Sequence, residues 1–372
     1  NADMKVIKLL SWGILIGLTL AACSRTAAPA PTVEPTDMPG LEAVPNVDVD
    51  ALIRIHTPED VEETRLALLE FIFGEPILPE VLPEVDTYSP DDDTVWLLNP
   101  YKAFDTTVLT LRMAHDLVSN MVLVNGSEEN DTLLLYYTGH AGLTEFDQKN
   151  TVKLARAGYD VLIIYLPMKG LNDPSTGNNP VAKLETKCCG VIRLGQHHHL
   201  NLLERPISYF LTPVAAGLNY AESLGYSNFV MIGFSGGGWA TTVYAALDLR
   251  ISISIPVAGT APLWMRIPGY EDGDFEASYL ELYEIANYLE LYVIGAYGEG
   301  RYQNQVVNFF DPCCYGGGRA EYYVPAVQTR LKELGAGKFD LFIDRRHTDH
   351  AVGENTYNHI LNILENGDPY SD

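Results

Sequence analysis

Positive charge is what this sequence has least of. Its 372 residues hold 24 Lys and Arg against 49 Asp and Glu, a formal charge of −25. A surface so acidic repels phosphate backbones, which excludes nucleic-acid binding as the expected function and disfavours passive adsorption to anionic lipid. A salt-rich habitat would account for the same charge. Long hydrophobic runs are also scarce. The stretch Leu9–Leu20 is broken by Ser11, Gly13 and Gly17 and is too short for a permanent membrane span. No phosphate-binding glycine loop of the Walker type, no dinucleotide-binding glycine fingerprint and no Cys/His spacing of a structural zinc motif occurs, and no cofactor is expected. Disorder is excluded by what is present. Hydrophobic residues make up 47% of the chain, enough for a large core.

The N-terminal residues read as an address. Lys5 and Lys8 follow Met4, the apolar stretch comes next, and it closes on Leu20-Ala21-Ala22-Cys23. This resembles the lipobox of bacterial lipoproteins, which implies cleavage before Cys23 and lipidation of that cysteine. Residues 1–22 are therefore expected to be a signal peptide. Residues 23–50 are rich in Pro, Ala, Thr and Glu and are expected to be a flexible tether. The implied location is extracytoplasmic, anchored to a bacterial membrane by acyl chains.

Residues 51–105 should carry one helix and an extended, proline-rich passage. Thr57 can cap that helix, Pro58 suits its first position, acids follow, and Gly74 ends it after Phe73. From 106 to 372 strand-like and helix-like runs alternate. Thr107–Met113, Met121–Asn125, Thr132–Thr138, Asp160–Tyr165, Asn228–Ile232, Ile251–Val257, Leu289–Ile294 and Phe339–Ile343 read as strands. Phe146–Ala157 and Pro206–Leu224 read as helices, each ended by a glycine. Alternation of this kind predicts an α/β fold with a mostly parallel sheet covered on both faces. Met168 to Leu203, with its Asn, Gly and Pro turns, reads as a loop excursion over the rim of the site.

The strongest chemical signal is Gly233-Phe234-Ser235-Gly236-Gly237, which lies between the apolar strand Asn228–Ile232 and a helical run from Ala240. A sharp strand-to-helix turn presents a serine hydroxyl, and the glycines let backbones approach closely. On these residues the chain resembles the α/β-hydrolase superfamily over about 106–364. The resemblance implies an eight-stranded sheet and a triad in chain order Ser, acid, His.

Ser235 would be the nucleophile. The histidine should follow the last strand, and His350 in His347-Thr-Asp-His350-Ala-Val-Gly fits best, with His347 in reserve. The acid should follow the seventh strand. With that strand at Leu289–Ile294, Glu299 stands where the family places its carboxylate, and Asp311 lies further on; Asp344 and Asp349 flank the histidine loop. The oxyanion hole would use the N–H of Gly236 and that of His140 or Ala141, in a Thr138-Gly-His-Ala-Gly142 loop resembling the family's His-Gly loop.

Five cysteines comprise Cys23 and the pairs Cys188-Cys189 and Cys313-Cys314. In an oxidising exterior the two pairs are expected to cross-link, with vicinal disulfides or free thiols as alternatives. His197-His198-His199 is expected to line a pocket rim rather than to bind a metal, because adjacent side chains diverge. Together these features predict a serine hydrolase, most simply a carboxylic ester hydrolase acting on small or polymer-derived esters. Its rivals are a peptidase of the same fold and a non-catalytic, ligand-binding surface lipoprotein.

Overall fold

The computed structural model describes residues 46–87, 96–126, 131–176, 179–269 and 271–367. The signal-like segment, Cys23 and most of the tether lie outside them. Among the described residues no helix is long and apolar enough to cross a membrane.

The elements in chain order are α1 (Pro58–Phe73), β1 (Glu84–Thr87), β2 (Thr106–Arg112), β3 (Val118–Val124), β4 (Thr132–Tyr137), α2 (Glu145–Arg156) and β5 (Asp160–Ile164). A hairpin of β6 (Ala182–Thr186) and β7 (Gly190–Leu194) precedes α3 (Ser208–Leu224), β8 (Asn228–Phe234), α4 (Gly236–Leu247) and β9 (Ile251–Val257). Then come α5 (Leu280–Ile285), α6 (Tyr288–Ala296), β10 (Tyr302–Asn308), α7 (Val324–Leu334), β11 (Lys338–Asp344) and α8 (Glu354–Asn366).

One sheet runs β1-β2-β3-β5-β4-β8-β9-β10-β11. The pairings β1/β2, β2/β3 and β3/β5 are antiparallel, and every later pairing is parallel. From β2 onward this is the expected eight-stranded, mostly parallel sheet. The ninth strand, β1, comes from the proline-rich passage and pairs Glu84 with Thr110 through Thr87 with Thr107. Strand residues alternate between the two faces, as the pleat requires. Leu133, Leu135 and Tyr137 join the core beneath α1, α3, α4, α6 and α7, while Leu134 and Tyr136 join the core beneath α2 and α8.

The segment before residue 106 is built into this core. Thr57 and Asp60 form a capping box on α1, and Gly74 ends the helix at φ +91°. Val61, Leu68 and Ile72 are buried with the sheet. The Arg330 guanidinium donates to the Ile53 carbonyl at 3.3 Å and also to that of Ile55. Arg54 pairs with buried Glu290 at 2.6 Å.

One strand assignment is corrected. Leu289–Ile294 lies inside helix α6, whose start is fixed by a capping box of Asn287 and Glu290. A short run that is apolar all round suits a buried helix as well as a strand. The seventh strand of the eight is β10, Tyr-Gln-Asn-Gln-Val-Val-Asn, which is buried throughout despite its four amides. Each amide has a partner. Gln303 donates to Ser254 Oγ, Asn304 to the Tyr302 hydroxyl, Gln305 to the Thr260 carbonyl and Asn308 to the Ala351 carbonyl.

Candidate active site

Between β8 and α4 the chain turns at Ser235, which adopts φ 55°, ψ −122°. Such a conformation costs a non-glycine residue about 1–3 kcal/mol and persists only where its surroundings enforce it. Here they do. The Ser235 N–H donates to the Val257 carbonyl at 2.9 Å, and its own carbonyl accepts from Trp239 N at 3.0 Å. A Cβ on Gly233 would fall 2.1 Å from the Gly237 carbonyl oxygen, and one on Gly237 would fall 2.0 Å from that of Tyr137. Only glycine lets α4 start so close to β8 and β4.

Beyond the C-terminal ends of β10 and β11, Asp311 Oδ2 lies 2.8 Å from His350 Nδ1. Asp311 is fully buried, and its Oδ1 accepts the backbone N–H groups of Cys313 at 2.8 Å and Cys314 at 3.1 Å. A carboxylate held this way fixes the proton on Nδ1 and leaves Nε2 of His350 as an acceptor. That Nε2 is buried and has no hydrogen-bond partner. The imidazole packs on Phe234, the residue before Ser235, with ring centroids 4.6 Å apart. No hydrogen bond joins Ser235 Oγ to His350 Nε2 in this state. The backbone just after the ring is clamped, since the Ala351 and Val352 carbonyls accept from Asn308 and Asn150.

The other candidates sit elsewhere. Glu299 is exposed in the turn after α6, away from His350; its expected place rested on the strand that is a helix. Asp344 spends its carboxylate on Thr356, Asn355 and Arg346, and so holds the start of α8. His347 Nε2 is 3.5 Å from Asp344, and Asp349 is exposed.

The loop after β4 closes over the serine. Gly142 N–H donates to the Gly139 carbonyl at 2.9 Å, and a Cβ on Gly139 would fall 2.8 Å from Ser235 Cβ. Among the described residues, the N–H groups of Gly236, His140 and Ala141 find no protein acceptor. Free donors of this kind beside a serine hydroxyl could receive an oxyanion.

Sequence reasoning missed a second cluster. His140 Nε2 lies 2.8 Å from Glu276 Oε1 and 2.9 Å from Asp274 Oδ2. His197 Nε2 lies 3.3 Å from Glu276 Oε2, and its Nδ1 is 3.0 Å from the Pro167 carbonyl oxygen. Burial pulls the His140 pKa down, but hydrogen bonds with Asp274 and Glu276 outweigh it and raise the value to about 9. Asp274 is held below the usual carboxylate range, chiefly by its hydrogen bond with His140. Burial would raise Glu276, yet its bonds with His140 and His197 bring it below that range. The cluster gathers residues 140, 197, 274 and 276 from three loops. Only the triple-histidine run hinted at it, and His198 and His199 take no part.

The cysteine expectation is also corrected. Cys313 and Cys314 are disulfide-bonded to each other in the turn that holds Asp311. Cys188 and Cys189 form no disulfide and are exposed at the tip of the β6–β7 hairpin, their sulfurs 2.6 Å apart. No disulfide joins one pair to the other.

No protein-family model matches the chain, and no curated protein matches it. Solved structures do. Methylesterase BT1017 superposes with a TM-score of 0.55 at 16% identity, covering 83% of this chain and 63% of its own. The chain thus spans less than two thirds of that protein's length. An acetyl xylan esterase from Paenibacillus sp. R4 gives 0.52 at 14% identity, covering 87% of this chain and 99% of its own. Acetyl xylan esterase 1 from Thermoanaerobacterium sp. JW/SL YS485 gives 0.52 at 11% identity, with coverages of 86% and 98%. At these identities the likeness is one of fold, and the fold is that of the α/β hydrolases.

Proposed function

We propose that the protein is a serine hydrolase of carboxylic esters, with Ser235, His350 and Asp311 as its triad. One observation carries this reading. The pairing of buried Asp311 with half-buried His350 leaves an unpartnered Nε2 on a ring packed on Phe234, the neighbour of a serine held at positive φ.

In this account Ser235 Oγ bonds to the acyl carbon as His350 Nε2 takes its proton. Asp311 keeps the other ring nitrogen protonated and stabilises the imidazolium. The N–H of Gly236, with that of His140 or Ala141, holds the oxyanion. Each such donor is worth about 3–4 kcal/mol in the transition state. The C–O bond to the alcohol breaks, the leaving oxygen takes the proton from His350, and water then releases the acid by the same path. The Ser235–His350 hydrogen bond forms as substrate binds, in keeping with the loose geometry of free active sites.

Short acyl or alkyl esters on polysaccharides are the substrate class we favour. The methylesterase and acetyl xylan esterase neighbours support it. The proposed location, outside the cytoplasm on a lipidated Cys23, would put the enzyme among such polymers. Release of p-nitrophenol from p-nitrophenyl acetate, and of acetate from acetylated xylan, tests the activity. Wild type should turn over both and Ser235→Ala neither; cleavage of amino-acid anilides in place of esters would transfer the reading to peptidases. Radioactive palmitate fed to a bacterial host should label the wild-type chain but not Cys23→Ser.

A further inference from the structure

We propose that His140, His197, Glu276 and Asp274 form a site for one Zn²⁺ ion. The inference does not depend on the serine chemistry and is tested without it.

Three donor groups converge, and a fourth stands beside one of them. Nε2 of His140, Nε2 of His197 and a Glu276 carboxylate oxygen all lie within 4.8 Å of one another, and Asp274 Oδ2 is 2.9 Å from the first. The neighbouring donor atoms are 2.8–3.3 Å apart. In a tetrahedral zinc site, bonds of about 2.0–2.1 Å put adjacent ligand atoms roughly 3.3–3.4 Å apart. A slight expansion of the cluster would therefore admit the ion.

The hydrogen-bond pattern points the same way. A carbonyl oxygen only accepts, so the Pro167 contact requires the proton of His197 on Nδ1. In the neutral ring Nε2 is then a lone pair, and it faces a carboxylate oxygen that also only accepts. A cation between them would engage both. At His140 a single ring nitrogen faces two carboxylates, although it can donate one proton. A backbone carbonyl on Nδ1 with Nε2 turned inward is the usual outer support of a metal-ligating histidine.

Among the described residues the Glu276 carboxylate, fully buried, has only the two imidazoles as hydrogen-bond partners, so it is turned wholly into the cluster. Two imidazole nitrogens with carboxylate oxygens suit Zn²⁺ better than Mg²⁺ or Ca²⁺, which prefer more ligands and all-oxygen shells.

The ion would have a positioning role. A Cβ on Gly236 would fall 2.4 Å from His140 Cε1 and 2.6 Å from its Nδ1, so that edge of the ligating ring borders the turn at Ser235. Zn²⁺ would tie the loop carrying the His140 and Ala141 N–H groups to the excursion at His197 and to the segment at Asp274 and Glu276.

The full chain, stripped with chelator and dialysed against Zn²⁺, should retain one equivalent by elemental analysis. Co²⁺ in its place should give the intense visible bands of a tetrahedral centre. His197→Ala and Glu276→Gln should each lose the metal on the same dialysis, while His198→Ala should retain it. X-ray absorption on the zinc-loaded wild type should show only nitrogen and oxygen ligands with two imidazoles, a readout that needs no variant to fold. The proposal is overturned if wild type holds no zinc after dialysis. It is equally overturned if His198→Ala loses the metal, if absorption reports sulfur ligands, or if Co²⁺ gives only weak octahedral bands.

Discussion

Asp311 Oδ2 meets His350 Nδ1 at 2.8 Å, joining the turn after β10 to the loop after β11. The pair is set by parallel strands in register, with Asn308 opposite Asp344 at their ends. Each loop leaves its strand beside the other, and Asn308 braces both by reaching Asp311 and the Ala351 carbonyl.

Replacing the acid separates the two carboxylates that the sequence leaves open. Asp311→Asn should cut kcat on p-nitrophenyl acetate by about 10³–10⁴-fold, because the amide no longer enforces the required imidazole tautomer. Glu299→Gln should leave kcat unchanged, since Glu299 is exposed and away from the ring. Steady-state kinetics on the two variants checks both expectations.

The nucleophile turn should be intolerant of a methyl group where the backbones meet. Gly237→Ala puts a Cβ 2.0 Å from the Tyr137 carbonyl oxygen, a backbone atom that cannot swing aside. Urea unfolding should register a loss of about 3 kcal/mol. Gly195→Ala, with nothing within 4 Å of its Cβ position, should stay within about 0.5 kcal/mol of wild type.

Acid should weaken the fold partly through His359. Burial holds its pKa below the ordinary 6.5, and the ring stacks on Phe342 at 3.9 Å with Nε2 3.0 Å from Asn304 Oδ1. Above pH 6.5 the ring is neutral in both folded and unfolded chains, and its contribution is complete. As pH falls below that value the unfolded chain takes up the proton first, so stability drops until the folded value is passed. Thermal melts between pH 7.5 and 5 should show a shallower decline for His359→Gln than for wild type.

The readability of the sequence followed from where its local signals agreed with the tertiary ones. Thr57, Pro58 and Gly74 marked α1 because caps and stops are local chemistry. Asp160–Ile164 declared itself a doubly buried strand by its unbroken apolar run. The serine turn was legible because the close approach of β8, β4 and α4 demands glycine at defined positions. Failure came where burial was polar. Strand β10 hides its amides in side-chain hydrogen bonds that only the assembled fold supplies, so the apolar run of its neighbour α6 carries the strand-like pattern and puts Glu299 slightly ahead of Asp311. The His140–His197–Glu276 cluster left no local pattern, because its members come from separate loops. Cysteine spacing is equally silent, since it does not tell a cross-link between loops from a vicinal disulfide or free thiols.

The most direct test is covalent. A fluorophosphonate, which reacts only with a serine activated by its base, should add once to the wild-type chain, and peptide mapping should find the adduct on Ser235. His350→Ala should slow the labelling by several orders of magnitude. A wild-type chain that stays unlabelled, or an adduct on another serine, would contradict the account.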